Sequence, residues 1–275
     1  MVQEKKIGRT AVFLVLCLGV VPVVTPFVWM ILSSFKEVAE FYVFPPKVLP
    51  RKPSLDNFRE LFSRGDFGRY YANSLLVTAV QVLFDVVIVT MAGYGFAKYR
   101  FRGREFFFTV VLSTSMVPWI ATIIPLFLMA TSVRANDTWF GLIFPGLADV
   151  FSIFLARNFL TSIPTELIES GRMDGAGEFE MFVKLALPLA KPLIAVITIG
   201  KFIGSWNAFQ WPLLIVGRDE LRTLPLAVAK FSSQYNDAYN LKMAAAALAS
   251  VPVLVVYVAF QKYFVAGISL SGIKG

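Results

Sequence analysis

The sequence predicts an all-α, polytopic membrane protein with six transmembrane helices. Two observations lead to this prediction: 57% of the 275 residues are hydrophobic, and they gather in long stretches separated by short charged segments. A helix rises about 1.5 Å per residue, so about 20 apolar residues cross the roughly 30 Å of hydrocarbon in a bilayer. Stretches long enough to cross lie near residues 11–32, 71–97, 106–131, 138–160, 191–216 and 243–265.

The first apolar stretch is predicted to be an uncleaved anchor. It follows Lys5, Lys6 and Arg9, as the apolar part of a secretory signal peptide would. However, its apolar run is longer than that of a typical signal peptide, and no small-x-small cleavage site follows it. Proline recurs inside this stretch and later ones, so neighbouring helices are expected to satisfy the carbonyl groups that proline frees.

The second and third stretches are joined by a short basic segment, residues 98–104, which contains Lys98, Arg100, Arg102 and Arg104. Basic residues in short loops favour the cytoplasmic side of a membrane. Over the whole chain the two sides carry nearly equal numbers of basic residues, so this segment is the main charge signal. With six spans, it places both termini and the segment 161–190 in the cytoplasm.

Three charged residues fall near the middle of predicted spans: Asp85 in the second, Asp149 in the fourth and Lys201 in the fifth. A lone charge at the bilayer centre costs about 3 kcal/mol or more, so such residues usually face a bundle interior and pair. The sequence leaves open whether Lys201 pairs with Asp85 or with Asp149. It also leaves open whether these residues line a polar substrate cavity, form a structural ion pair, or do both.

The fifth stretch carries further polar residues. If it is one continuous helix with about 100° per residue, Lys201 and Ser205 share one face. Asn207 and Gln210 then lie on a nearly opposite face. Both faces are expected to meet something other than lipid, one bordering a translocation path and the other a neighbouring helix.

A polar segment between the fourth and fifth stretches is the most informative part of the chain. Residues 161–190 combine a high density of charge with apolar residues at near-helical spacing, so the segment is expected to lie in water as two short amphipathic helices. Gly175 is placed to turn the chain between them. The apolar face of such a pair needs a cover, and a soluble partner protein is the expected one.

Composition excludes several classes of function. The chain has no histidine, which removes His-based catalytic triads, metal sites and proton relays. Its one cysteine, Cys17, rules out an internal disulfide and a cysteine metal cluster. Gly200-Lys201 is followed by Phe202 and lacks the upstream glycine of a phosphate-binding loop, so no ATP site is predicted. The net charge of +8 is dispersed along the membrane flanks, which argues against nucleic-acid binding.

Segment 161–190 contains a recognisable pattern made of Glu169, Asp174, Gly175, Ala176, Phe182, Leu187 and Pro188. With this pattern the segment resembles the cytoplasmic coupling loop of binding-protein-dependent ABC importer permeases. Ser170 and Gly171 stand where the family usually has two alanines. Further matches are Asn73-Ser74-Leu75, Phe101-Arg102-Gly103-Arg104, Met116-Val117-Pro118, Ser205-Trp206-Asn207, Gln261 to Gly267 and Ile273-Lys274-Gly275. Together these matches resemble the maltose-type carbohydrate subfamily.

The resemblance implies the type I ABC importer permease fold and a set of partners. These are a second homologous permease subunit, two cytoplasmic ATPase subunits and an extracytoplasmic substrate-binding protein. It implies no catalysis and no cofactor in this chain, with ATP and Mg bound by the ATPase subunits. The residues expected to couple to the ATPases are Glu166, Glu169, Arg172, Asp174, Gly175, Ala176, Phe182 and Pro188.

Candidate residues for the translocation path come from the predicted spans. Trp206 and Trp211 offer flat faces of the kind that stack on sugar rings, although tryptophan in membrane proteins more often anchors or packs. The candidates are Asp85, Asp149, Lys201, Ser205, Trp206, Asn207 and Gln210. No metal site is predicted.

The chain is expected to divide into residues 1–70 (anchor helix and first external segment), 71–265 (five-helix core) and 266–275 (cytoplasmic tail). Gly267 is predicted to end the last helix. The resemblance implies that the tail reaches the ATPase interface, with Ile273, Lys274 and Gly275 as candidate contacts; the alternative is a tail lying on the membrane. The outer segment 217–240 either contacts the binding protein, as the resemblance implies, or is a solvated connector.

The predicted function is that of a permease subunit in the bacterial or archaeal cytoplasmic membrane, importing a sugar, oligosaccharide or polyol by alternating access. An importer of glycerol-phosphate or another small solute is the alternative within this class. A stand-alone facilitator is a rival that would need no ATPase-docking loop. A membrane-embedded enzyme is a second rival, disfavoured because no nucleophile constellation is present.

Overall fold

The structure is a computed structural model that describes the backbone of residues 2–234 and 238–271 and the side chains of residues 12, 13, 15–232 and 238–261. This part of the chain is helical and irregular, without strands. The helices are α1 (Val2–Ser33), α2 (Asp56–Arg64), α3 (Phe67–Lys98), α4 (Arg104–Thr114), α5 (Trp119–Ser132), α6 (Trp139–Ile143), α7 (Val150–Thr161), α8 (Thr165–Met173), α9 (Glu178–Met181), α10 (Leu187–Leu189), α11 (Lys191–Trp206), α12 (Gln210–Ile215), α13 (Leu224–Gln234) and α14 (Tyr239–Ser271). A π-helical turn, Phe182–Ala186, joins α9 to α10, and short 3₁₀ turns cover Val38–Tyr42, Phe144–Gly146 and Asp219–Leu221.

The described residues contain up to six candidate membrane spans, as the sequence predicts. Three are single helices: Val15–Ser33 within α1, the whole of α3, and Tyr239–Gln261 within α14. The other three are helix pairs bent by 94° between α4 and α5, by 42° before α7, and by 80° between α10 and α11. The prediction of an all-α membrane fold with six spans is therefore confirmed, but half of the spans are bent.

The bends occur where the sequence interrupts helical hydrogen bonding. α5 begins after Pro118, which has no N–H to donate and holds extended backbone at φ −59° and ψ 135°. α7 begins after Asp149, whose carboxylate accepts hydrogen bonds from the backbone N–H and the hydroxyl of Ser152. A charge predicted to lie inside a continuous span thus caps a helix N-terminus.

Two predictions of helix continuity were wrong. The stretch 191–216 is broken at residues 207–209, because α11 ends at Trp206 and α12 starts at Gln210. Conversely, Gly267 does not end the last helix, since α14 continues through it to Ser271. Glycine is tolerated inside a helix at a cost of about 1 kcal/mol, and the apolar sequence around Gly267 continues the helical run.

The chain forms two compact units. The first contains Met1–Gly68 and Ala227–Val251. Its centre is the buried Asn57, whose amide donates to the carbonyls of Ser34 and Lys36 at 2.8 Å each. The Asn57 carbonyl accepts from the amide of Asn240 at 2.7 Å. These bonds connect the end of α1, α2 and the start of α14, and the ring contact between Phe35 and Phe58 adds an apolar contact between the first two.

The second unit contains Arg69–Leu226 and Pro252–Gly275. α3 and α7 cross closely in it, because a Cβ added to Gly93 would lie only 2.4 Å from the Cβ of Ala156. Around this crossing, Val89, Leu160 and Ile197 are among the residues that form the larger apolar core. A smaller core packs around Leu142 and Trp211, with the Trp211 indole N–H donating to the carbonyl of Gly141 at 2.9 Å.

Candidate functional site

A cavity of about 500 Å³ lies in the second unit, between α3, α7, α11, α12 and the 3₁₀ turn at Pro145. Its wall is largely apolar and is interrupted by charged and polar side chains. The polar and aromatic residues that line it are Ser74, Gln81, Trp119, Asp149, Phe151, Ser152, Lys201, Ser205, Trp211 and Thr223. A largely apolar pocket with a few convergent polar groups is the usual form of a small-molecule site.

The ambiguity over the mid-span charges is resolved by the position of Asp85. The Nζ of Lys201 lies 3.7 Å from Oδ1 of Asp85, and the Lys201 side chain is 13% exposed. The same Oδ1 accepts the backbone N–H of Asp149 at 2.6 Å. Asp85 is fully buried, and its Oδ2 has no hydrogen-bond partner among the described residues. Lys201 thus pairs with Asp85, while Asp149 caps α7.

Of the seven predicted path residues, three line the cavity: Asp149, Lys201 and Ser205. Asp85 lies behind the wall and holds Lys201 from that side. Lys201 and Ser205 are one helical turn apart on α11, so the predicted shared face is present, and the Ser205 hydroxyl is 3.3 Å from that of Thr78.

The other three predicted path residues lie elsewhere. Trp206 is 1% exposed and packs its ring against Phe202 and Tyr71 instead of facing the cavity. Asn207 caps the end of α11, with its amide donating to the carbonyl of Ile203 at 3.0 Å. Gln210 starts α12 beyond the break, so the angle counted along a continuous helix does not apply to it. Neither Asn207 nor Gln210 lines the cavity.

Several lining residues were missed from the sequence. Gln81 lies one turn before Asp85 on α3 and donates to the carbonyl of Ile143 at 3.0 Å. Its i, i+4 spacing from Asp85 is a signal that the sequence did contain. Trp119 lines the cavity as the first residue of α5. Its place there depends on the bend at Pro118, which hydropathy does not reveal.

Segment 161–190 contains the predicted pair of short helices, α8 and α9, and then continues through the π-helical turn into α10. Gly175 has φ +82°, and its N–H donates to the carbonyl of Arg172 at 3.0 Å. The next N–H, from Ala176, donates to the carbonyl of Gly171 at 3.0 Å. This pair of bonds is the Schellman arrangement, which ends a helix with a left-handed residue. The prediction that Gly175 turns the chain is confirmed.

One side of this segment is anchored in the larger core. Ile168 from α8, Met181 from α9 and Phe182 are each at most 7% exposed, and all three belong to that core. Other apolar side chains of the segment are open to the surroundings: Met173 is 87% exposed and Phe179 is 70% exposed. The segment therefore presents apolar side chains outward from a fixed base.

The residues predicted to couple to ATPases include both buried and exposed side chains. Phe182 is buried and Ala176 is half-buried. The exposed members are Glu166, Glu169, Arg172, Asp174, Gly175 and Pro188. Of the predicted tail contacts, Ile273, Lys274 and Gly275 lie outside the described residues.

A polar network that the sequence did not reveal connects this segment to the segment after α3. The Glu178 carboxylate accepts hydrogen bonds from Nε of Arg172 at 2.8 Å and from its Nη2 at 3.2 Å. The hydroxyl of Tyr99 donates to the same carboxylate at 2.6 Å. Burial, and then this hydrogen bond to Glu178, raise the pKa of Tyr99 to about 12. Tyr99 is therefore a hydrogen-bond donor throughout the physiological pH range.

Comparison with known proteins places these features in a family of membrane transport proteins. Residues 87–270 match the family model of binding-protein-dependent transport system inner membrane components. The chain is 32% identical over 259 residues to the arabinooligosaccharides transport system permease protein AraQ of Halalkalibacterium halodurans, covering 92% of this chain and 91% of that protein. It is 30% identical over 249 residues to the lactose transport system permease protein LacG of Rhizobium radiobacter, covering 90% of each.

A solved structure is also similar. A chain of a bacterial ABC transporter involved in the import of the acidic polysaccharide alginate superposes with a TM-score of 0.84 at 25% identity, covering 95% of this chain and 98% of that one. The resemblance to ABC importer permeases stated from the sequence is thereby confirmed, as is the permease fold. The chain belongs to the family of binding-protein-dependent transport system inner membrane components.

Proposed function

We propose that this permease imports a sugar, an oligosaccharide or a polyol, and that segment 161–190 is where it receives energy from ATPase subunits. The observation that carries the coupling role is the fixed base and open apolar side of that segment. Ile168 and Met181 anchor the helices, while Met173 and Phe179 project outward. A short rigid helix pair transmits rigid-body motion, which a flexible loop would dissipate.

The cavity supports the transport role. Its volume of about 500 Å³ and its mixture of tryptophan, serine, glutamine and charged side chains suit a hydroxyl-rich solute. Trp119 and Trp211 both line it, so aromatic faces are present where a sugar ring would pass. The arabinooligosaccharide and lactose permeases among the relatives support the choice of a carbohydrate.

The complete importer would contain further subunits. We expect a second homologous permease, an extracytoplasmic binding protein, and two cytoplasmic ATPase subunits that bind ATP and Mg. In this arrangement both termini and segment 161–190 face the cytoplasm, in agreement with the basic segment 98–104. Alternating access then requires that ATP binding favours one of the inward and outward states over the other.

The coupling role is tested with exposed methionines at two places. Met173 is 87% exposed on segment 161–190, and Met116 is 82% exposed at the bend between α4 and α5. In the complete complex, Met173→Ser together with Phe179→Ser is expected to reduce co-purification of the ATPase subunits at least fivefold. Met116→Ser, the matched control, is expected to retain them. Full retention of ATPase subunits by the double variant would refute the docking role.

The substrate is tested by binding and uptake. The purified binding protein and the reconstituted importer are offered neutral oligosaccharides, a polyol and glycerol-phosphate. ATP-dependent uptake of a carbohydrate is expected, whereas exclusive uptake of glycerol-phosphate would favour the alternative substrate. Downhill flux through this chain alone, without ATP, would instead indicate a facilitator.

A further inference from the structure

Three parts of the chain meet at the Glu178 carboxylate. Arg172 lies in the last turn of α8 and Glu178 is the first residue of α9, so their two-bond ion pair closes the helix pair across the Gly175 turn. The third part is Tyr99, which directly follows α3 and is 79 positions away in sequence. Its hydroxyl bond connects α9, just after the Gly175 turn, to the end of α3.

The surroundings hold the Tyr99 ring in place. Tyr94, one turn before the end of α3, packs edge-on against Tyr99 with ring centres 5.7 Å apart. On its other side Tyr94 contacts the ring of Phe182 at 5.3 Å. Next to Tyr99, the Nζ of Lys98 donates to the carbonyl of Ile163, two residues before α8 begins. Both ends of α8 are therefore connected to the end of α3.

These contacts join the coupling segment to the helix that reaches the cavity. α3 carries Asp85, which pairs with Lys201, and Gln81, which lines the cavity wall. The apolar anchors Ile168 and Phe182 fix the base of the segment, but the Gly175 turn is exposed. The apolar core already packs α8 and α9 against α3, and the Tyr99–Glu178 bond adds a polar connection beside the exposed turn.

We propose that Tyr99 is a positioning residue, whose hydroxyl holds the Gly175 turn against the end of α3 so that movement of the turn displaces α3. This inference rests on the proposed docking of ATPase subunits on segment 161–190. Glu178 is the acceptor that the mechanism needs, and Arg172 orients it. The hydroxyl, not the ring, is the functional group, because the ring contacts alone do not involve the turn.

Two tyrosines allow a matched test. Tyr99→Phe removes the hydroxyl that bonds to Glu178 and keeps the ring. Tyr94→Phe removes a hydroxyl that is buried and has no hydrogen-bond partner among the described residues. Both variants are made in the complete importer with binding protein, and three quantities are measured: the amount of assembled complex, the ATP hydrolysed with substrate-loaded binding protein, and the substrate taken up per ATP.

The expected result separates positioning from folding. Tyr99→Phe should assemble normally but take up at least threefold less substrate per ATP, while Tyr94→Phe should match the unaltered protein in all three quantities. Glu178→Ala should show at least the Tyr99→Phe defect, because it removes the same hydroxyl bond and also the Arg172 ion pair. The double variant should be no worse than Glu178→Ala, because the two changes share the Tyr99–Glu178 bond.

Two results would overturn this inference and leave the proposed function standing. One is unchanged uptake per ATP in Tyr99→Phe; the other is a loss of assembled complex with unchanged uptake per ATP, which indicates a structural role only. Failure of the proposed function is recognised differently, because the unaltered permease would then not retain ATPase subunits at all.

Discussion

Lys201 and Asp85 form an ion pair of unequal partners: their charged atoms are 3.7 Å apart, but only Lys201 reaches the cavity, while Asp85 is fully buried. Asp85 also accepts the backbone N–H of Asp149 and so connects α3, α7 and α11. Removing the lysine leaves a buried carboxylate without its cation. Removing the carboxylate leaves an ammonium group that borders a polar cavity.

This asymmetry predicts which of two single substitutions lowers the stability of the protein more. Breaking a buried ion pair by removing one partner costs about 3–5 kcal/mol, and the full cost is expected for Lys201→Met. Asp85→Asn should cost less, because asparagine still accepts the Asp149 N–H and Lys201 can reach the cavity. Lys201→Arg should retain most of the stability. Thermal unfolding midpoints in detergent measure this order.

The double variant Asp85→Asn, Lys201→Met tests the pairing itself. Its unfolding midpoint is expected to lie above that of Lys201→Met alone, since no uncompensated charge remains. Strictly additive losses would show that the two residues act independently.

Gly175 is predicted to accept only residues that tolerate a left-handed backbone. Its φ is +82° and nothing lies within 4 Å of an added Cβ, so any penalty comes from the backbone and not from a clash. Gly175→Val should abolish most uptake and the response of ATPase activity to binding protein, whereas Gly175→Asn should be mild. Gly177, at φ −70° with equally open space, supplies the control. Gly177→Ala should behave normally; equal defects in Gly175→Val and Gly177→Ala would contradict this account.

Gly171 offers a gain in stability. It lies inside α8, where glycine costs about 1 kcal/mol relative to alanine. An added Cβ would meet the Cγ and Sδ of Met181 at 3.4 Å, which is ordinary contact with a flexible side chain. Gly171→Ala should therefore raise the unfolding midpoint without reducing uptake. A lower midpoint would mean that Met181 cannot adjust.

Asn57 should be among the most sensitive positions of the first unit. Its side chain satisfies two backbone carbonyls and the amide of Asn240. Asn57→Ala leaves these buried groups unpaired, each at about 1–3 kcal/mol. The exposed Asn136, which bonds only to Thr131 among the described residues, is the control, and Asn136→Ala should change stability by less than about 0.5 kcal/mol. Similar midpoints for the two variants would exclude the role assigned to Asn57.

Local features were the ones that the sequence predicted well. The helix pair α8–α9 and its turn depend on amphipathic spacing and on Gly175, all within a few residues. The breaks were missed because hydropathy averages over a window, and residues 207–209 contain neither glycine nor proline to mark an interruption. Asp149 looked like a mid-span charge because the same averaging hid the break before α7, although Pro145 and Gly146 mark it in the sequence.

Pairings between distant residues depended on packing that hydropathy does not contain. Asp85 and Asp149 were equal candidates for Lys201 until the helices were placed, and the choice follows from Asp149 being used as a helix cap. The Tyr99–Glu178 bond joins positions 79 apart and has no motif of its own. The sequence therefore supplied the chemical groups, and only the fold supplied their partners.

The crossing of α3 and α7 at Gly93 restricts which sequences this fold accepts. Because an added methyl group would lie 2.4 Å from the Cβ of Ala156 and 2.9 Å from its carbonyl carbon, no side chain fits without separating two helices. Gly95, two residues later, has nothing within 4 Å of an added Cβ. In a saturation library, position 93 should tolerate glycine alone, while position 95 should accept substitution. Two glycines only two positions apart should therefore differ sharply in how strictly selection keeps them.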